Sequence, residues 1–290
     1  MKKAMMAGIA ACAALAACAA PGPMKDGRSL VWSDEFNGGS LDTNKWRFCH
    51  TMNESDCLFV NDSRTVRMED GCLHMQIHAS GNPEKPWMLP EGVATLHTMA
   101  FKYGYLEMRA RIPYRHGAWP GFWMQSPPML RKVDWLAEVD IFEVFASSNS
   151  LAANIHKWGR GKHVMVPDQN HGGPKRDHVI ADCARLNEEF HVYGFEWNPK
   201  EMKFYMDGHL FSTIPIDEEH DFGKSEIPGM KGFQDFQSVI FNNELFTKGH
   251  GWCPPELEIR PEDPLPIDYW VDWIRLWQNP RSEYIVTGNF

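Results

Sequence analysis

Apolar and polar positions along most of this chain alternate in short runs broken by Gly, Pro, Asn and Asp, and helical periodicity is nearly absent. Such runs lie at Thr65–Met68, Cys72–His78, Tyr103–Ile112, Gly121–Gln125, Phe190–Trp197, Lys203–Met206, Phe236–Phe241 and Trp270–Trp277. Asp207-Gly208, directly after Met206, is a hairpin signal, because both residues tolerate the positive φ of a tight turn. Many short strands punctuated by turn residues predict an all-β fold: a sandwich of two antiparallel sheets in one domain, 29–290. No repeat, low-complexity segment or internal linker divides it.

One run breaks the alternation. Asp134–Phe145 reads D-W-L-A-E-V-D-I-F-E-V-F, with Glu138, Asp140 and Glu143 set in an apolar, β-prone context. On a strand Glu138 and Asp140 share one face while Val139 and Ile141 take the other. Glu143 lies five residues after Glu138, so a regular strand would turn it into the core. An extra residue at Ile141–Phe142, a β-bulge, restores the phase and spares the cost of burying a lone carboxylate. Retaining glycoside hydrolysis uses two such groups, a nucleophile and an acid roughly 5–5.5 Å apart. Crowded carboxylates cannot all ionise, so one is held protonated near neutrality. The spacing alone also fits the wet face of an amphipathic strand.

Composition narrows the classes. The chain has 290 residues, 43% hydrophobic, with a net charge of −9 and no basic stretch beyond short pairs. Nucleic acid is therefore excluded as a partner, since phosphate binding needs clustered cations. Twelve Trp and seven Tyr are a high count; most belong to the core, and a minority can form the stacking platforms that sugar rings need. Lys2-Lys3 precedes an apolar run, Ala4–Ala17, too short to span a bilayer. Leu15-Ala16-Ala17-Cys18 resembles the lipobox of bacterial lipoprotein signal peptides. That resemblance implies a signal peptide over 1–17, lipidation at Cys18 and a Pro/Gly-rich tether over 18–28. The expected protein is exported and monomeric, held at the outer membrane of a Gram-negative bacterium, at the surface or in the periplasm, with no membrane contact except its lipid. Cys49, Cys57, Cys72, Cys183 and Cys253 follow, an odd number, with Cys49 and Cys57 near enough in sequence for a short bridge. Neither Cys49-His50…Cys57 nor Cys72-Leu73-His74 has the spacing of a zinc site.

Six motifs in order carry a resemblance to glycoside hydrolase family 16 across almost the whole domain. They are D-E-F-N-G with L-D-x-x-K-W, Y-G-Y-L-E-M-R-A-R-I-P, W-P-G-F-W-M, E-V-D-I-F-E, Y-G-F-E-W-N-P-K-E-M-K-F-Y-M-D-G and V-D-W-I-R-L-W-Q. The resemblance implies a β-jelly-roll with an open concave cleft and an endo-acting, retaining glycosidase that needs no cofactor. It makes Glu138 the nucleophile, Asp140 its assisting acid and Glu143 the general acid/base, in the bulged, laminarinase- and galactanase-like branch. It places Trp119, Trp123, His156 and Trp158 against the sugar. It also implies a structural calcium at Glu35, the Gly71 backbone and Asp272, although surface acids would serve equally well as a reading of those positions.

The pattern departs from laminarinases at Val239–Phe246, where Asn242-Asn243-Glu244 stands in place of an Asn followed by Gly-Gly. Glu244 is thus expected to accept hydrogen bonds from sugar hydroxyls, and a β-galactan (agar-, carrageenan- or mucin-like) is slightly favoured over a β-1,3-glucan. A sulfated substrate would call on Arg160, Lys162, Lys175 or Arg176, or these are solvated loop charges. The rival readings are a transglycosylase and a non-catalytic glycan-binding lipoprotein on the same scaffold.

Overall fold

The computed structural model describes residues 27–51, 55–132, 134–145, 151–166, 177–178, 185–216, 232–248, 255–279 and 282–290. The expected signal peptide, Cys18, most of the tether, Lys175, Arg176, Cys183 and Cys253 lie outside the described residues.

Two antiparallel sheets stack face to face. The cleft sheet runs in the order Lys162–Val166, Leu151–Gly159, Leu136–Glu143, Ala118–Gln125, Ser238–Leu245, Gly92–Ala94, Arg47–Cys49. The opposing sheet runs His209–Pro215, Glu201–Met206, His191–Trp197, Gly104–Arg111, Ile267–Gln278, Cys72–Asn82, Lys85–Leu89, Cys57–Phe59, with Ser29–Asp34 and Val66–Glu69 paired at its flank. The expected sandwich is therefore what the chain forms. The Asp207-Gly208 hairpin is also present, with φ of 49° and 78° between strands Glu201–Met206 and His209–Pro215.

Period-two patterning explains the layering. In Ile267–Gln278, Ile267, Tyr269, Val271, Ile274 and Leu276 are buried inward, while Asp268, Trp270, Asp272, Arg275 and Trp277 face out. A register shift between Val271 and Trp273 accounts for the change of phase. The core between the sheets is largely aromatic. Trp46 packs edge-on to Phe241 at 5.3 Å, and Phe142 of the acidic strand meets Tyr193 of the opposing sheet at 4.4 Å. A fully buried ring of this size contributes about 1.5–3 kcal/mol, so these contacts anchor the cleft sheet to its support.

The calcium expectation meets a specific obstacle. Glu35 accepts two hydrogen bonds from Arg275, at 3.0 and 2.6 Å, and Asp272 pairs with Arg109. Each carboxylate that would face the ion already faces a guanidinium, so this arrangement does not fit an oxygen cage for calcium. Cys49 and Cys72 are free thiols, so the Cys49–Cys57 bridge is not formed.

Candidate active site

The bulge falls where the pattern placed it. Against Leu151–Gly159, Glu138 pairs with His156, Asp140 with Asn154 and Glu143 with Ala152, with the register shifting between Asp140 and Glu143. Against Ala118–Gln125, Trp123 pairs with Asp140, Phe122 with Phe142 and Gly121 with Glu143. Ile141 is the extra residue. Both Ile141 and Phe142 sit in the core, at 1% and 0% exposure, and Glu143 returns to the cleft beside Glu138 and Asp140.

Each acid has its own polar neighbour. Trp158 donates its indole N–H to Glu138 Oε2 at 3.0 Å. Trp119 donates to Glu143 Oε1 and Asn154 Nδ2 to Glu143 Oε2, both at 3.0 Å. His156 Nε2 lies at ion-pair distance, 2.8 Å, from Asp140 Oδ2, and its Nδ1 lies 2.8 Å from His163 Nε2. Glu138, Asp140 and Glu143 thus converge with Trp119, Trp123, His156 and Trp158, the residues expected against the sugar. Burial and the charge of Asp140 push both glutamates above the usual carboxylate range, Glu138 to about 8 and Glu143 to about 7. His156 opposes the shift in both. The site therefore holds a shared proton near neutrality, which a reaction needing one acid and one carboxylate requires.

These groups line a cavity of about 540 Å³. Trp119 stacks on Phe246 with ring centroids 4.9 Å apart and planes 8° from parallel, which fixes its indole over Glu143. Trp123 donates to Asn242 Oδ1 at 2.6 Å. Between them Gly121 keeps the floor open, because a Cβ there would sit 3.1 Å from Asn242 Oδ1 and 3.3 Å from Trp123. Glu244, 2% exposed, lines the cavity wall and accepts a hydrogen bond from Thr51.

Sequence reasoning missed Thr51, Gly121, Phe145, His163, Met165 and Asn242 as lining residues. Thr51 arrives by tertiary packing, for which the chain gives no local signal. His163 had one: a tight turn at Arg160-Gly161 makes a hairpin that sets His163 opposite Trp158. Of the expected cations, Lys175 and Arg176 lie outside the described residues. Among the described lining residues there is no Lys or Arg, and Arg160 turns towards Asp134 at 3.6 Å.

Residues 30–279 match the family model described as Beta-porphyranase A-D, GH16 domain. The chain belongs to glycoside hydrolase family 16. The domain is thus that of an endo-acting, retaining glycoside hydrolase, and the strand E-V-D-I-F-E is the family's acidic motif in its bulged form. Family 16 relatives bracket it chemically. A glucan endo-1,3-β-glucosidase of Cryptopygus antarcticus is 31% identical over 84% of this chain and 91% of its own length. Glucan endo-1,3-β-glucosidase A1 of Niallia circulans is 27% identical over 88% of this chain, which spans only 39% of that relative. A keratan-sulfate endo-1,4-β-galactosidase of Sphingobacterium multivorum is 24% identical, covering 87% of this chain and 55% of its own. Among solved structures, one from a study of endo-acting O-glycanases of human gut microbiota that initiate mucin breakdown superposes with a TM-score of 0.69 at 22% identity, covering 90% of this chain and 94% of that one. The last match speaks to the fold.

Proposed function

We propose that the protein is an exported, lipid-anchored endo-β-glycosidase that cuts a β-galactan-type glycan with retention of configuration. Glu143 protonates the leaving glycosidic oxygen while Glu138 attacks the anomeric carbon, giving a covalent glycosyl-enzyme and a free sugar hydroxyl. Glu143 then takes a proton from water, which displaces Glu138 and restores both groups. Asp140, between them, holds the charge that keeps a proton on the pair. The observation that carries this reading is the bulged strand with its three acids on one face, each met by a separate polar partner.

The galactan preference draws support from the porphyranase-type family model and from the keratan-sulfate galactosidase relative. Glu244 in the cavity wall, where laminarinase-like members carry Gly-Gly, supports it from the side of this chain. The acid-rich lining with no described Lys or Arg favours uncharged sugars next to the scissile bond. A second reading, a β-1,3-glucan substrate, is favoured by the glucanase relatives. Export and anchoring rest on Leu15-Ala16-Ala17-Cys18, and loss of lipid labelling in Cys18→Ser is the expected result.

Incubation with laminarin, lichenan, agarose, porphyran, κ-carrageenan and mucin O-glycans, with products read by mass spectrometry, tests the proposal. Oligosaccharides from a galactan and none from laminarin are expected. Cleavage of laminarin alone would replace the galactan reading with the second one. Undiminished hydrolysis by Glu138→Gln would overturn the roles given to the acids.

A further inference from the structure

His163 lies on Lys162–Val166, the outermost strand of the cleft sheet on that side, and is not one of the acids or their immediate donors. Its ring stacks on Trp158 with centroids 3.6 Å apart and planes 6° from parallel. Its Nε2 faces His156 Nδ1 at 2.8 Å. Trp158 in turn holds Glu138, and His156 faces Asp140. Two of the three acids are therefore one residue away from the same imidazole.

We infer that His163 is a positioning residue that orients Trp158 over Glu138 by stacking and fixes His156 as an imidazolium beside Asp140 by accepting its Nδ1 hydrogen. This rests on the acid triad being the reaction centre. In the proposed arrangement His163 is neutral with its hydrogen on Nδ1, so its Nε2 lone pair takes the hydrogen of His156 Nδ1 while His156 Nε2 carries a second one towards the carboxylate of Asp140. A doubly protonated ring is a cation, and three acids, Glu138, Asp140 and Glu143, face it from the neighbouring strand. The remaining titratable group among the described lining residues, Glu244, is also an acid, so none of them competes for the positive charge. Partial burial of the ring, and the charge of His156, hold His163 down at about 4, consistent with its part as the neutral acceptor. Trp158 remains 41% exposed with one face on His163, which leaves its other side to solvent or sugar.

The two functions of the ring can be separated. His163→Phe keeps the stack and removes the acceptor, whereas His163→Gln keeps an acceptor and removes the stack. On whichever of agarose and laminarin the wild type cuts, His163→Phe is expected to move the kcat/KM profile to higher pH by about half a unit to one unit, with KM little changed. The sign follows from the acids: with less positive charge beside them, they release their protons later. His163→Gln is expected to keep the profile and raise KM roughly three- to tenfold, as Trp158 loses its support. Loss of fold alone would lower the active fraction and move neither quantity. Wild-type profile and KM in both variants, with Glu138→Gln inactive, would overturn this role and leave the catalytic assignment standing. Imidazole ¹⁵N NMR of the wild type gives an independent reading without substrate. His156 protonated on both nitrogens and His163 on Nδ1 alone at neutral pH are expected, and a neutral His156 would overturn the inference.

Discussion

The indole of Trp119 and the carboxyl of Glu143 come from adjacent strands and meet in one 3.0 Å hydrogen bond. The donor steadies the charged form of Glu143, and the stack on Phe246 keeps it aimed. Trp119→Phe preserves the stack and deletes the N–H. Glu143 should then hold its proton to higher pH, so the alkaline limb of kcat/KM moves up while kcat falls roughly five- to thirtyfold. An unshifted limb would show that the bond is spectatorial.

The wild-type rate itself should describe a bell. With Glu138 pushed to about 8 and Glu143 to about 7, the coupled pair holds one proton between those values, two below them and none above. Activity is expected to decline as pH rises through about 8, when the shared proton leaves, and as it falls through about 7, when a second one arrives and silences the nucleophile. A rate still climbing at pH about 10 would contradict a carboxylic acid as proton donor.

Stability should fall with activity on the alkaline side. A carboxyl whose proton is held more tightly in the folded than in the unfolded chain favours the fold below its ordinary value near 4.5 and loses that support as pH rises through about 8. Glu138→Gln cannot ionise. It should match the wild type in acid and exceed it above neutrality by an amount on the order of a few kcal/mol, read as a gain in Tm that grows with pH. Equal melting curves at pH about 9 would mean that Glu138 is hydrated in the folded protein.

Azide separates the two glutamates. With Glu143→Ala, azide should intercept the glycosyl-enzyme on Glu138 and yield a β-glycosyl azide. With Glu138→Ala, it should attack directly from the vacated side and yield the α-azide, provided the substrate carries a good leaving group. NMR of the anomeric proton distinguishes them, and the reverse pattern would exchange the roles.

Charge on the substrate gives a further test. Glu138, Asp140, Glu143 and Glu244 surround a cavity whose described lining has no Lys or Arg. Desulfated carrageenan or porphyran should be cut with kcat/KM at least about tenfold above the sulfated parent, the difference shrinking in high salt. Preference for the sulfated chain would point to cations on segments beyond the described residues.

Much of this was legible in the chain, and for definable reasons. The acidic strand could be read because alternation has a period of two, so a misplaced Glu143 announces a bulge at Ile141–Phe142. Asn154, His156 and Trp158 fall in phase on the next strand and land on the cleft face together. Thr51 and Asn242 were not legible, since their partners, Glu244 and Trp123, lie 193 and 119 residues away in sequence. The calcium ligands failed for a similar reason. Glu35 and Asp272 read as free acids until the sheet brings Arg275 and Arg109 across to them, and pairing of that kind is written in strand register alone.

The inserted Ile141 has a consequence for which face of the sheet reacts. On an unbroken strand a carboxyl five residues after another lies on the opposite side. Here one surplus residue brings Glu143 round to the face of Glu138, and the hydrophobic seating of Ile141 and Phe142 clamps it there. The company that attacker and donor keep is thus set by greasy contacts on the far side of the sheet, by residues that never see the glycan. Smaller side chains there should loosen that partnership, and turnover would suffer before the fold gave way.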